Sequence, residues 1–167
     1  MRKGIKKILI CGYGSMGTKY HELIRNNWKD VHIVVLTSQK LDAKKMGSNI
    51  EIARNLNSAI SKDCTHAIIA NPATLHVEYA CKLLDSGINT LIEKPLLTDD
   101  GQCQTEKLIK LKNKEKAFVG YVLRQDKIIQ KIKEIIECGE LGELISIEAK
   151  CGSWLPDWRP NRNYKLF

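Results

Sequence analysis

Five stretches of this chain are apolar at nearly every position: "KKILICG", "VHIVVLT", "THAIIAN", "INTLIEKP" and "KAFVGYV". "IEIA", at Ile50 to Ala53, is a weaker sixth. Such runs suit strands covered on both faces, as in a parallel sheet, rather than strands with one wet face. Between them the apolar residues fall at helical spacing. Met16, Tyr20, Leu23 and Ile24 make one stripe, and Val77, Ala80, Cys81 and Leu84 make another that stops at Gly87. A further helix is expected from near Thr98, Asp99 and Asp100, the two aspartates being acids suited to a helix start, to about Asn113. Strand alternating with helix predicts an α/β fold built on a doubly wound parallel sheet.

The pattern changes after residue 124, which divides the chain into 1–124 and 125–167. Asp126 is placed to cap a helix whose Ile128, Ile129, Ile132, Ile135 and Ile136 form one stripe ending at Gly139. "ELISIEAKCGSW" then alternates, with Ile145, Ile147, Ala149 and Cys151 on one face and Ser146, Glu148 and Lys150 on the other. That alternation predicts an antiparallel strand of a different sheet. One strand cannot bury its apolar face alone, so residues 125–167 read as the start of an incomplete second α/β domain.

With 167 residues and 43% apolar content, the chain can bury a proper core. It has no apolar run long enough for a membrane-spanning helix, and its basic start lacks the apolar region and cleavage site of a signal peptide; a cytoplasmic protein is expected. Six scattered cysteines without a C-x-x-C pair argue against a disulfide framework or a zinc site, and no metal is expected. The net charge of +8 favours anionic ligands, yet much of it sits in lysines such as those of "EKLIKLKNKEK", which read as the wet face of a helix. Aromatics are only 6% and do not interleave with the basic residues, which places a small-molecule ligand ahead of nucleic acid.

"ILICGYGSMG" gives the ligand a chemistry. Gly12, Gly14 and Gly17 follow the first strand and open the first helix, the G-x-G-x-x-G arrangement of a dinucleotide-binding βαβ unit. Gly12 permits a tight turn, Gly14 lets the backbone approach a pyrophosphate, and Gly17 lets the helix lie close to the sheet. Tyr13, Ser15 and Met16 complete the loop, and the free N–H groups of the helix start bind phosphate. The second strand ends in "LTSQK" with no carboxylate before Asp42, where such folds often place an acid for the adenosine ribose. The hydroxyls of Thr37 and Ser38 and the Lys40 ammonium suit a ribose phosphate instead, which favours NADP over NAD; an ordinary polar turn that discriminates little is the alternative.

At the same edge of the sheet, the fourth strand leads into "NPATLHVEYA". Asn71 and Thr74 offer hydrogen bonds there, Pro72 stiffens the turn, and His76 stands in the first turn of the next helix, as a site residue or as a surface or capping one. The fifth strand ends in Glu93, Lys94 and Pro95. Pro95 fixes the backbone, so that Lys94, partly desolvated beside a nicotinamide, would be tuned for proton exchange with a substrate hydroxyl.

"GYGSMG", "NPATLHVEYA", "EKPLLTD" and "GYVLRQD" with "GELGELISIEAKCGSW", in that order, resemble the Gfo/Idh/MocA family of NAD(P)-dependent sugar and polyol oxidoreductases. The resemblance implies an N-terminal Rossmann domain and a C-terminal α/β domain whose open sheet mediates homo-oligomers. It implies that Lys94 is the catalytic lysine, that Glu93 helps hold the nicotinamide end, and that Asn71, Pro72, His76 and Arg124 line the cofactor. "SWLPDWRPNRNY" is similar to a segment of members linked to surface-sugar biosynthesis, which puts Trp158 and Arg159 at the nicotinamide or substrate, with structural packing as the alternative for Trp158.

Family members run to about twice this length, and their second domain supplies a histidine beside an acid. The histidines here, His21, His32, His66 and His76, all lie in the first half. The expectation is therefore the cofactor-binding part of a sugar or nucleotide-sugar dehydrogenase, with little or no turnover as this chain. A non-catalytic NAD(P)-binding sensor or scaffold is the alternative. A nucleic-acid binder exploiting the net charge comes third, and no membrane partner is expected.

Overall fold

The structure, a computed structural model, describes residues 6–98, 106–111, 113–152 and 154. It divides into two compact units, Met1–Val122 and Leu123–Phe167. The first holds six strands, β1 (Lys7–Cys11), β2 (His32–Leu36), β3 (Ile50–Ala53), β4 (His66–Ile69), β5 (Asn89–Ile92) and β6 (Ala117–Val119). They form one sheet in the order β3-β2-β1-β4-β5-β6, every neighbouring pair parallel. The connections of the first five strands carry the helices α1 (Ser15–Asn27), α2 (Ala43–Met46), α3 (Leu56–Ile60) and α4 (His76–Asp85). This is the Rossmann arrangement, in which the chain direction of travel reverses between β1 and β4 and opens a crevice at their carboxyl ends.

The unbroken apolar runs have a direct cause. Successive strand residues point to opposite faces, and both faces are covered. Leu9, Cys11, Val34, Leu36, Ala67 and Ile69 pack with Leu56, Ala59, Ala80, Leu83 and Leu84 of α3 and α4. Ile8, Ile10, Ile33, Val35 and Ile68 form the other cluster with Ile24 of α1. Register then aligns the strand ends, because Cys11 pairs with Leu36 and Ile69, Leu36 with Ala53, and Ile92 with Ile69 and Val119. The next residues stand in one row along the crevice rim: Gly12, Thr37, Arg54, Ala70, Glu93 and Gly120.

The buried face of α1 matches the expected stripe at Ile24, with Tyr20 packed against the core, and departs from it at Met16 and Leu23. Gly17, His21 and Ile24 are buried, whereas Met16 and Leu23 are 37% and 46% exposed. The reason lies at Gly17, where an added Cβ would stand 2.1 Å from the Gly12 carbonyl oxygen and 3.6 Å from Ile10 Cγ2. Contact that close seats the helix on its glycine face, and the apolar stripe follows. In α4 the buried residues are His76, Val77, Ala80, Leu83 and Leu84, with Cys81 only half-buried. Of the helix expected over Thr98 to Asn113, residues 106–109 are helical, and its acidic start at Asp99 and Asp100 lies outside the described residues. The short helices α2 and α3 are additions to the sequence reading.

In the second unit, α5 (Lys127–Glu137) is capped by Asp126, whose Oδ1 accepts from the N–H groups of Ile128 and Ile129 at 2.9 and 3.1 Å. The strand expected in "ELISIEAKCGSW" does not form: residues 143–152 are exposed and carry no ladder bonds, and Ile145 is 94% exposed. Alternation alone does not make a strand, because extended backbone needs a hydrogen-bonding neighbour, and none of the described residues supplies one.

Gly17→Ala is expected to destabilise the fold by about 1–3 kcal/mol, since the backbone of Gly12 must retreat to admit a methyl group. Urea denaturation followed by circular dichroism measures it, and an unchanged midpoint would contradict the packing described.

Candidate active site

The crevice is assembled from residues that end strands. Gly12 turns the chain out of β1 at φ +93°, and its N–H donates to the Leu36 carbonyl at 2.8 Å. A Cβ there would lie 2.7 Å from the Asn71 backbone, so only glycine lets the loops after β1 and β4 meet. Gly14 takes the N-cap position of α1 with no side-chain cap, and no acidic residue occupies the first turn. Nothing lies within 4 Å of where its Cβ would be. The helix start therefore presents uncapped N–H groups and positive dipole to open space, the chemistry of an anion site.

Asn71 supplies the second observation. Its Nδ2 and Oδ1 are both buried without a hydrogen-bond partner among the described residues. A buried amide left unpaired costs about 1–3 kcal/mol, and a polar ligand beside the Gly12 turn would relieve it. Open glycine backbone, uncapped helix amides and an orphaned amide fit a dinucleotide.

At the end of β2, Thr37 is buried and its Oγ1 accepts from the Gln39 N–H at 3.1 Å, whereas Ser38 and Lys40 are exposed. Gln39 Nε2 donates to the Tyr13 carbonyl at 3.1 Å, tying this turn to the glycine loop. Asp42 is occupied as the cap of α2, accepting from the Lys44 N–H at 3.0 Å. Arg54, absent from the sequence-based candidates, reaches across from the end of β3 to the carbonyls of Thr37 and Gln39. Its clue in the sequence was its position one residue past an apolar strand.

Pro72 and Thr74 are exposed, with Thr74 in a 3-10 turn, Ala73–Leu75, that leads into α4. His76 is only 2% exposed. One ring nitrogen lies 2.8 Å from the Pro95 carbonyl and the other 2.9 Å from the Asn71 carbonyl. The ring is a strut between two crevice loops, which distinguishes it from a surface or capping residue.

Glu93 is buried at 6% exposure, with Oε1 accepting from the Tyr20 hydroxyl and Oε2 from the Lys94 N–H at 3.2 Å. A Cβ at Gly120 would stand 3.2 Å from Oε1, so glycine leaves room for the carboxylate. Tyr20, read from sequence as part of an apolar stripe, is the missed partner here. Burial, then the bond to Glu93 and its charge, push the Tyr20 phenol far up and keep it a donor. Lys94 itself is exposed, so the protein alone does not provide the desolvation expected of it. Arg124 is exposed and belongs to the second unit, and Trp158 and Arg159 lie outside the described residues.

Beneath the glycine loop, the Tyr13 hydroxyl and His21 Nδ1 are hydrogen-bonded, and His21 Nε2 is buried without a partner among the described residues. Burial, with Arg25 adding to the effect and Glu22 opposing it, lowers the imidazole from its ordinary 6.5. Burial likewise lowers His66. A lowered folded value means that the unfolded chain binds protons first as pH drops. The contribution is then complete above about 6.5 and is lost as pH falls through the folded value. Urea midpoints measured from pH 7.5 down to 5.5 should fall, and His21→Gln should flatten that slope; an unaltered slope in the variant would contradict the assignment. Tyr20→Phe, which strips a donor from buried Glu93, should cost about 1–3 kcal/mol in the same assay at neutral pH.

Comparison with known proteins places this geometry. Residues 6–121 match the model of the Gfo/Idh/MocA family, described as an oxidoreductase family with an NAD-binding Rossmann fold. The chain is 27% identical over 149 residues to an inositol 2-dehydrogenase of Corynebacterium glutamicum, covering 84% of this chain and 44% of that protein. It is 26% identical over 151 residues to the uncharacterized oxidoreductase YhhX of Escherichia coli, covering 87% and 44%. The chain thus spans less than half the length of these curated relatives. Among solved structures, apo scyllo-inositol dehydrogenase from Lactobacillus casei superposes with a TM-score of 0.72 at 18% identity, over 86% of this chain and 44% of that one. The WlbA dehydrogenase from Bordetella pertussis, in complex with NADH and UDP-GlcNAcA, gives 0.68 at 18% identity, over 85% and 42%. An uncapped, glycine-lined helix start at the switch point of an all-parallel sheet and a family match across nearly all of the first unit agree: this chain belongs to the Gfo/Idh/MocA oxidoreductase family, with its NAD-binding Rossmann fold.

Proposed function

We propose that the first unit holds the cofactor of an oxidoreductase that moves a hydride between NAD(P) and a hydroxyl of a sugar, polyol or nucleotide sugar. The observation that carries this reading is the uncapped, unobstructed start of α1 beside the orphaned amide of Asn71. The ligands named with two relatives, scyllo-inositol and UDP-GlcNAcA, support a polyhydroxylated ring as the substrate class.

When bound, the nicotinamide cofactor supplies the hydride chemistry, and the chain supplies binding, orientation and proton handling. The N–H groups at the start of α1 neutralise the pyrophosphate, and the Asn71 amide gains the partners it lacks. Glu93 holds the Lys94 N–H and so fixes the backbone from which the lysine side chain extends. The exposed Lys94 ammonium would exchange a proton with the substrate hydroxyl, and a bound cofactor would be needed for the desolvation that the protein alone does not give it. Ser38 and Lys40, exposed on the turn that buried Thr37 opens, would hold the adenosine ribose, and with one oxygen of Asp42 capping α2 the turn would accept a phosphate, which favours NADP.

Fluorescence titration with NADPH and NADH tests the reading, with Gly14→Asp as the decisive variant. A carboxylate at this N-cap favours the helix by roughly a few tenths of a kcal/mol over glycine while placing negative charge where the pyrophosphate belongs. Expected is saturable binding by the native chain and a loss of at least about tenfold in affinity in the variant, with an unchanged or higher melting temperature. No binding by the native chain, or equal binding by both, would refute the proposal.

A further inference from the structure

The crevice contains a cation whose bonding is only partly used. Arg54 follows β3, and register puts it in the rim row directly beside Thr37: Leu36 pairs with Ala53, and the Thr37 N–H donates to the Ala53 carbonyl at 3.2 Å. Its Nη1 donates to the Thr37 carbonyl at 3.1 Å and also to the Gln39 carbonyl. A guanidinium has five N–H donors, and Nη1 supplies two of them. The Nε and Nη2 groups make no hydrogen bond among the described residues, and together they form the side-on edge that matches two oxygens of a phosphate.

The surroundings favour an anion there. Arg54 is exposed, as are Ser38 and Lys40 on the turn it clasps. The first carboxylate after β2, Asp42, faces the start of α2, where its Oδ1 accepts from the Lys44 N–H at 3.0 Å. The turn is stiffened further by bonds of the same two residues, the Gln39 N–H to Thr37 Oγ1 at 3.1 Å and Gln39 Nε2 to the Tyr13 carbonyl at 3.1 Å.

We infer that Arg54 is a specificity-determining residue: its Nη1 fixes the turn after β2, and its remaining N–H edge binds a phosphate on the adenosine ribose, separating NADP from NAD. This rests on the dinucleotide reading above and adds to it the residue that discriminates. Turn clasp and phosphate ligand make different demands. A clasp serves both cofactors equally, whereas a phosphate ligand serves only the phosphorylated one.

The test is titration of the full chain with NADPH and NADH, and competition by 2′,5′-ADP against 5′-ADP, for the native protein, Arg54→Met and Arg54→Lys. Expected for Arg54→Met is NADPH affinity lower by roughly ten- to a hundredfold with NADH changed less than about threefold, and a parallel loss for 2′,5′-ADP alone. Arg54→Lys, which retains charge but not the fork, should fall between. Circular dichroism checks that both variants are folded. If Arg54→Met does not fold, a native chain that binds 2′,5′-ADP no more tightly than 5′-ADP still overturns the proposal, and so does an Arg54→Lys that weakens both cofactors alike or leaves NADPH unaffected. A native chain that binds neither dinucleotide refutes the underlying reading, a separate result from equal losses in the variants.

Discussion

The backbone of the Gly12 turn and the first turn of α1 approach more closely than any side chain would permit, and much of the crevice follows from that contact. An added Cβ on Gly17 would stand 2.1 Å from the Gly12 carbonyl oxygen, and one on Gly12 would stand 2.7 Å from the Asn71 backbone. Three segments thus share a space from which side chains are excluded. Their seating points the start of α1 into the crevice, turns His21 beneath the loop and brings Tyr20 to Glu93. Loss of that contact would move both ends of the site at once.

Polar ties then extend from this point in both directions. Gln39 joins the glycine loop to the turn after β2, and Arg54 joins that turn to the end of β3. On the other side, the His76 ring lies between carbonyls of the loops after β4 and β5, and Glu93 grips the backbone of Lys94. Each tie runs to a main-chain group, so the site depends on loop backbone held in place by a few side chains, a form of preorganisation that leaves the ligand-facing groups free.

Much of this fold could be read from the order of residues because its two faces are both covered: a strand such as Ile33 to Leu36 has no wet side, and its apolar run is unbroken. The glycine loop was legible for the same kind of reason, since each glycine answers a local geometric demand. Tyr20 and Arg54 were not legible. Their partners lie 73 and 15–17 residues away, and only the assembled sheet brings them together. On α1 the stripe holds at Tyr20 and Ile24 but not at Met16 and Leu23, which hydrophobicity marks for burial, whereas the tightest contact belongs to a residue with no side chain. In "ELISIEAKCGSW" the alternation is genuine but the described residues give it no pairing edge, so pattern and structure part.

The row formed by Gly12, Thr37, Arg54, Ala70, Glu93 and Gly120 begins one residue beyond the last aliphatic layer, where Cys11, Leu36, Ala53, Ile69 and Ile92 are all buried. A change of size or charge at an open place such as Arg54 therefore meets solvent and polar neighbours instead of the interior. At that open position ligand preference and folding are written in adjacent but separate letters, and a change there can retune what the molecule recognises while its interior stays as it was.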